Sequence, residues 1–156
     1  MSGTWIALRV PISTARSIAV TGGERPEAMH LTLAHLGRYL SAEQVRGVDR
    51  AVRHWGRATR PLSGRIVGVG RFDGEQLDPV WALPSVEGLR EARDALIASL
   101  PVTPPSQYEW QPHITIAWVR KGEPLGESIP RAPITFDTVQ LWSDGVASSY
   151  KLRSKR

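Results

Sequence analysis

Cysteine is missing from all 156 residues of the chain. Its absence excludes a disulfide framework, a thiolate nucleophile and a cysteine-ligated zinc site. Also missing is any apolar run near the roughly 20 residues that a membrane-spanning helix needs. The N-terminal Met-Ser-Gly-Thr-Trp has no basic segment leading into a long apolar core. We therefore expect a soluble, cytoplasmic chain with no membrane contact. No repeat of solenoid period is present, and with 41% apolar residues the chain reads as one globular domain over 1–156, with room for two joined lobes but not for two independent domains. Acidic residues are the scarcer charge, 15 Asp and Glu against 20 Lys and Arg, with a sequence pI near 10.2. That balance suits a polyanionic ligand. Lys151, Arg153, Lys155 and Arg156 crowd the C-terminus, either as a solvated tail or as a contact for a nucleic-acid backbone.

What is present is one short pattern used twice. His30-Leu31-Thr32-Leu33 and His113-Ile114-Thr115-Ile116 lie 83 positions apart (113 − 30), and each alternates polar and apolar residues as a half-buried strand does. Successive side chains of a strand point to opposite faces, so His30 shares a face with Thr32, and His113 with Thr115. The same parity puts His35 on the face of Leu31 and Leu33, and Trp118 on that of Ile114 and Ile116, which predicts packing roles for both. His54 falls near the end of a predicted helix and is read as structural.

The surrounding pattern predicts a strand over Trp5 to Val10, a short helix from Ser13 to Val20, and the first motif strand from Met29 to Leu36. Ser41 and Gln44 form an S-x-x-Q capping box for a helix carrying Val45, Val48, Val52 and Trp55 and ended by Gly56. Strands at Leu62 to Val69 and Pro79 to Leu83 follow, joined around Asp73-Gly74. A second helix is expected from Ser85 to Leu100, stopped by Pro101. The second motif strand, Trp110 to Val119, precedes two last strands, Ile134 to Trp142 and Val146 to Leu152, with a turn at Ser143-Asp144-Gly145. This order is that of an α+β fold.

Two imidazoles can divide the work of proton acceptor and donor at neutral pH. On a phosphodiester, one would deprotonate water and the other protonate the departing oxygen, while Thr32 and Thr115 donate hydrogen bonds to the non-bridging oxygens. Neither motif has an Asp or Glu at strand or helix spacing, and two histidines leave a zinc sphere short, so we expect neither metal nor cofactor. Arg38, Arg71, Arg120 and Lys121 are candidates for gripping phosphate, Arg120 first among them. Tyr39, Phe72, Trp110 and Trp118 are available to stack on a base. From these we select Arg120, Arg38, Tyr39 and Phe72 as substrate-binding candidates.

The set His30 to Gly37 (HLTLAHLG), Gly68 to Phe72 (GVGRF) with Val80-Trp81-Ala82, Pro112 to Ala117 (PHITIA), and the closing Leu141-Trp142-Ser143 with Tyr150 resembles the two-histidine (2H) phosphoesterase superfamily. The branch it is most similar to is that of the LigT-like RNA 2′,3′-cyclic phosphodiesterases, once called 2′-5′ RNA ligases. The resemblance implies a bilobal fold of two antiparallel sheets with pseudo-twofold symmetry around a central groove, helices outside. It also implies metal-independent hydrolysis of 2′,3′-cyclic phosphate ends of RNA or nucleotides to 2′-phosphates. His30 and His113 would be the acid–base pair and Thr32 and Thr115 the phosphate-binding hydroxyls. The chain departs from that branch in three ways: His35 stands where an aromatic residue is common, Trp118 where an arginine is common, and the Val10 to His30 segment is short. The alternatives are a phosphodiesterase of 2′-5′-linked or cyclic signalling oligonucleotides, of the phage anti-defence type, and a non-catalytic nucleotide-binding protein. RNA ends or cyclic nucleotides are the expected partners of a monomer, with no protein partner specified.

Overall fold

The computed structural model describes residues 3–105 and 109–154, so Lys155 and Arg156 of the basic C-terminus lie outside the described residues. In chain order the elements are β1 (Thr4–Arg9), α1 (Ile12–Ile18), a 3-10 turn (Pro26–Ala28), β2 (His30–Gly37), α2 (Ala42–Ala58), β3 (Leu62–Arg71), β4 (Leu77–Val86), α3 (Leu89–Ser99), β5 (Ile114–Arg120), β6 (Pro133–Phe136), β7 (Thr138–Ser143) and β8 (Val146–Lys151). All strand pairs are antiparallel, in the order β6-β3-β4-β5-β2-β1-β7-β8. The fold is thus α+β, and the two sheets expected from the resemblance are continuous. The motif strands β2 and β5 sit side by side at the centre, joined by the single pair Leu31↔Ile114.

One sheet face packs against the helices. Leu31, Leu33, Ile114 and Ile116 are fully buried there with Val48 and Val52 of α2 and Leu96 of α3. The capping box at Ser41 and Gln44 is formed in both directions. Gly56 does not end α2 as expected. It is buried inside the helix, where an added Cβ would stand 3.5 Å from Val139 and from the Lys151 carbonyl. The hairpin β7-β8 turns through Asp144 (φ 49°) and Gly145 (φ 82°), the left-handed pair that a two-residue hairpin loop requires.

Further boundaries differ from the sequence reading, among them the second motif strand, which begins at Ile114 and not at Trp110. Ser85 and Val86 complete β4, and Gly88 in a left-handed conformation turns the chain into α3. The single strand expected over Ile134 to Trp142 is two strands, β6 on β3 and β7 on β1, so the chain passes between the halves of the sheet at Asp137. No helix is long and apolar enough to cross a membrane among the described residues.

Both motif strands carry a β-bulge at the same offset. On β2 the pairing with β1 runs Ala7↔Thr32 and then Ile6↔Ala34, leaving Leu33 extra. On β5 the pairing with β4 runs Trp81↔Thr115 and then Val80↔Ala117, leaving Ile116 extra. An extra residue shifts the alternation by one. Both Leu33 and Ala34 are buried, as are Ile116 and Ala117, and the residues that follow return to the histidine face. His35 and Trp118 therefore do not share the packed face of Leu31 and Ile114 that strict alternation predicts. His35 pairs with Trp5, whose ring also lies against His30, and Trp118 is 56% exposed instead of packed.

Candidate active site

His30 opens β2 and His113 immediately precedes β5. Each is held by its own backbone two residues earlier: His30 Nδ1 donates to the Ala28 carbonyl at 2.9 Å, and His113 Nδ1 to that of Gln111 at 2.7 Å. A carbonyl only accepts, so Nδ1 bears the hydrogen and Nε2 is left without a partner in this contact. Under each ring lies a tryptophan from the neighbouring strand. Trp5 is 4.8 Å from His30, centroid to centroid, and stacks on Trp142 at 5.2 Å. Trp81 is 5.7 Å from His113 and 5.0 Å from Phe72. Its indole lies over Gly70, where a Cβ would come within 2.2 Å of the ring. Only glycine fits beneath that tryptophan.

Because β2 and β5 part after one pair, carbonyls of β2 need other donors. Trp110 Nε1 donates to the Thr32 carbonyl at 3.0 Å and Arg93 Nε to that of Leu33 at 3.0 Å. The Arg93 guanidinium also lies 4.9 Å from the Trp110 ring centroid, and Arg90 lies 5.4 Å from it. Trp110 is thus a pinned wall and not a free stacking platform. Burial lowers the Arg93 pKa from its usual value, outweighing the raising effect of Asp94.

A cavity of about 550 Å³ opens between these groups, lined by Thr32, His35, Phe72, Arg93, Trp110 and His113 among others. Phe72 meets His113 edge-on, with centroids 5.0 Å apart and planes at 83°. The Phe72 loop is fixed by Asp78, which accepts from the Gly74 amide and from Arg71 Nε, both at 2.8 Å. The Gly74 bond first, and Arg71 second, lower the Asp78 pKa. On the other side of His30 a hollow of about 540 Å³ is lined by Trp5, Arg9, Glu24, Arg25 and Trp142. His35 belongs to the first cavity. Burial, then the charges of His30 and His113, lower its pKa below the usual imidazole value.

The structure therefore lines one cavity with Thr32, Phe72 and His113, sets His30 in the adjoining hollow one residue from the Leu31↔Ile114 pair that joins the two strands, and leaves Thr115 half-buried on the His113 face. It does not bring Arg38, Tyr39 or Arg120 to these cavities. Tyr39 is 93% exposed beyond the end of β2 beside exposed Arg38, and Arg120 lines a separate surface hollow with Glu75 and Lys121. Arg71 is committed to Asp78 and to the carbonyls of Arg120 and Glu123. Sequence reasoning missed Arg93, the cation that does face the cavity, and His35.

A family model described as the 2′-5′ RNA ligase superfamily matches residues 7–145. The chain belongs to this superfamily. Membership indicates a phosphoesterase or RNA-processing enzyme and agrees with the sequence resemblance. Solved structures share the fold along nearly the whole chain. TT0787 of Thermus thermophilus superposes with a TM-score of 0.68 at 19% identity, covering 98% of this chain and 99% of its own. Escherichia coli LigT complexed with 3′-AMP gives 0.65 at 18%, covering 97% and 95%. Usb1 of Kluyveromyces marxianus gives 0.66 at 10%, covering 96% and 97%. A search of curated protein sequences gives no match.

Proposed function

We propose that this superfamily member hydrolyses 2′,3′-cyclic phosphate ends of RNA or nucleotides to 2′-phosphates by two-histidine acid–base catalysis. The observation that carries the reading is the matched anchoring of His30 and His113, which leaves two Nε2 atoms for proton transfer. The neutral imidazole takes a proton from water, and the water oxygen bonds to phosphorus. The bond from phosphorus to the ribose 3′-oxygen breaks, its electron pair goes to that oxygen, and the protonated imidazole supplies the proton. The 2′-ester remains. Thr32 and Thr115 donate to the non-bridging oxygens as charge builds. LigT has been crystallised with 3′-AMP, ATP, phosphate and NADP+, in keeping with a nucleotide ligand in a groove of this fold.

Two cavities of similar size, about 550 and 540 Å³, flank the histidines. They favour a second reading, in which a nucleoside sits on each side of a 2′-5′ linkage. The test is incubation in EDTA with 2′,3′-cyclic mononucleotides, cyclic-ended RNA, 2′-5′-linked dinucleotides and cyclic di- and trinucleotides. Turnover of the first two supports the leading reading, and turnover confined to the others supports the second. If every substrate survives, the protein is no phosphodiesterase of this type.

A further inference from the structure

Two of the basic residues near the C-terminus, Lys151 and Arg153, lie beside a second basic surface. Helix α2 carries Arg46, Arg50, Arg53 and Arg57, all exposed. Their spacing of four, three and four residues sets them in one stripe, on the side of the helix away from Val48, Val52 and Trp55. At ~1.5 Å rise per residue the stripe is about 16 Å long. Strand β8 lies beside it. Tyr150 donates its hydroxyl to Asp49, Arg53 lies over the Tyr150 ring at 5.2 Å, and the Arg153 amide donates to the Thr59 carbonyl at 2.7 Å. Arg53, Arg57, Ser149, Tyr150 and Lys151 line a hollow of about 300 Å³ there.

The carboxylates nearby are few. Asp49 pairs with Arg53 at 3.8 Å and Asp137 with Lys151 at 3.7 Å. Among the described residues Arg46, Arg50 and Arg57 have no carboxylate within 4.0 Å. No large apolar side chain of α2 is exposed, and β8 exposes one, Val146 at its start, so the face carries a single apolar residue and not the cluster by which a protein partner is usually held. Guanidinium groups in a row suit phosphate oxygens.

This face is behind the sheet from the histidines. Val139 of β7 packs on Gly56 of α2, whereas its neighbours Gln140 and Trp142 line the hollow beside His30. β8 is the edge strand, and its Ala147 lines that same hollow. The two surfaces meet at this edge.

We propose that the α2–β8 face docks the phosphodiester backbone of an RNA whose end turns over the β8 edge into the histidine groove. This rests on the phosphodiesterase reading and extends it: the substrate is a polymer, held at a site separate from the one that reacts.

The test compares wild type with Arg46→Gln/Arg50→Gln/Arg57→Gln. A control, Arg16→Gln/Arg65→Gln/Arg131→Gln, removes the same charge from exposed positions elsewhere. Binding of a fluorescein-labelled 20-nucleotide RNA with an ordinary 3′-hydroxyl end is followed by anisotropy over a range of salt. We expect the α2 variant to bind about tenfold more weakly at low salt. Its log–log salt slope should be smaller by about 2, as loss of three single-strand phosphate contacts predicts. The control should follow wild type within about twofold. In turnover, kcat/KM of the α2 variant should fall about tenfold on cyclic-ended RNA and stay unchanged on a 2′,3′-cyclic mononucleotide. Wild-type binding by the α2 variant, an equal loss in the control, or equally good displacement by polyglutamate would each overturn the proposal. If wild type turns over neither substrate, the phosphodiesterase reading fails, while the anisotropy result still decides the docking surface.

Discussion

The strands that carry the two histidines agree for four residues past each histidine and then part. His30-Leu31-Thr32-Leu33-Ala34 and His113-Ile114-Thr115-Ile116-Ala117 share the Nδ1-to-carbonyl anchor, the threonine, the tryptophan beneath the ring and the bulge. At the next position one strand presents His35 to a cavity shared with His113, and the other presents Trp118 to solvent. The flanks differ accordingly. Phe72 and Trp110 wall the His113 side, while Arg9, Glu24 and Arg25 line the His30 side. The groups we propose for proton transfer are duplicated, whereas those that would recognise a substrate are not.

If the shared part is the chemistry, His30→Ala and His113→Ala should each lower kcat by roughly 10²–10⁴. The double variant should be little worse than either single one, because the two act as a unit. A loss confined to one histidine in single-turnover kinetics would break the likeness. Thr32→Val and Thr115→Val should follow with falls of about 10² in kcat, the size of one lost oxyanion donor, and little change in KM. If they raise KM alone, the hydroxyls serve ground-state binding.

The divergent position predicts unequal effects. His35→Phe should change kcat/KM about tenfold through the cavity it lines, whereas Trp118→Phe should stay within about twofold. Equal effects would mean that the two flanks are used alike. The smallest expected difference is in stability. The folded state holds the His35 pKa below its unfolded value, by burial first and by His30 and His113 after, so the unfolded chain binds more protons in that range. The stability linked to His35 is present above the unfolded pKa and is lost as pH falls toward the depressed one. Wild type should therefore lose more Tm between pH 8 and pH 5 than His35→Phe does. A larger loss in the variant would reverse the sign.

Much of this arrangement is legible in the sequence. The capping box at Ser41 and Gln44, the Ser143-Asp144-Gly145 turn and the alternation around each histidine carry local physical signals, and the structure realises each of them. The bulges are less plain, because each interrupts an alternation that is regular up to it. Apolar positions 31 and 33 are followed by 34 and 36, and 114 and 116 by 117 and 119. That phase slip is what a bulge leaves in a sequence. The same slip, from Ile134 and Phe136 to Val139 and Leu141, marks the division of β6 from β7. The role of Arg93 has no such local mark. It exists because β2 and β5 separate after one pair and leave the Leu33 carbonyl in need of a donor.

The most direct measurement of the central claim is phosphorus NMR of 2′,3′-cyclic AMP incubated in EDTA with wild type, His30→Ala and His113→Ala. The account predicts a single 2′-phosphate resonance growing with wild type and at most about one hundredth of that rate with either variant. An inert wild type, a 3′-phosphate or mixed product, or variants as fast as wild type would contradict it.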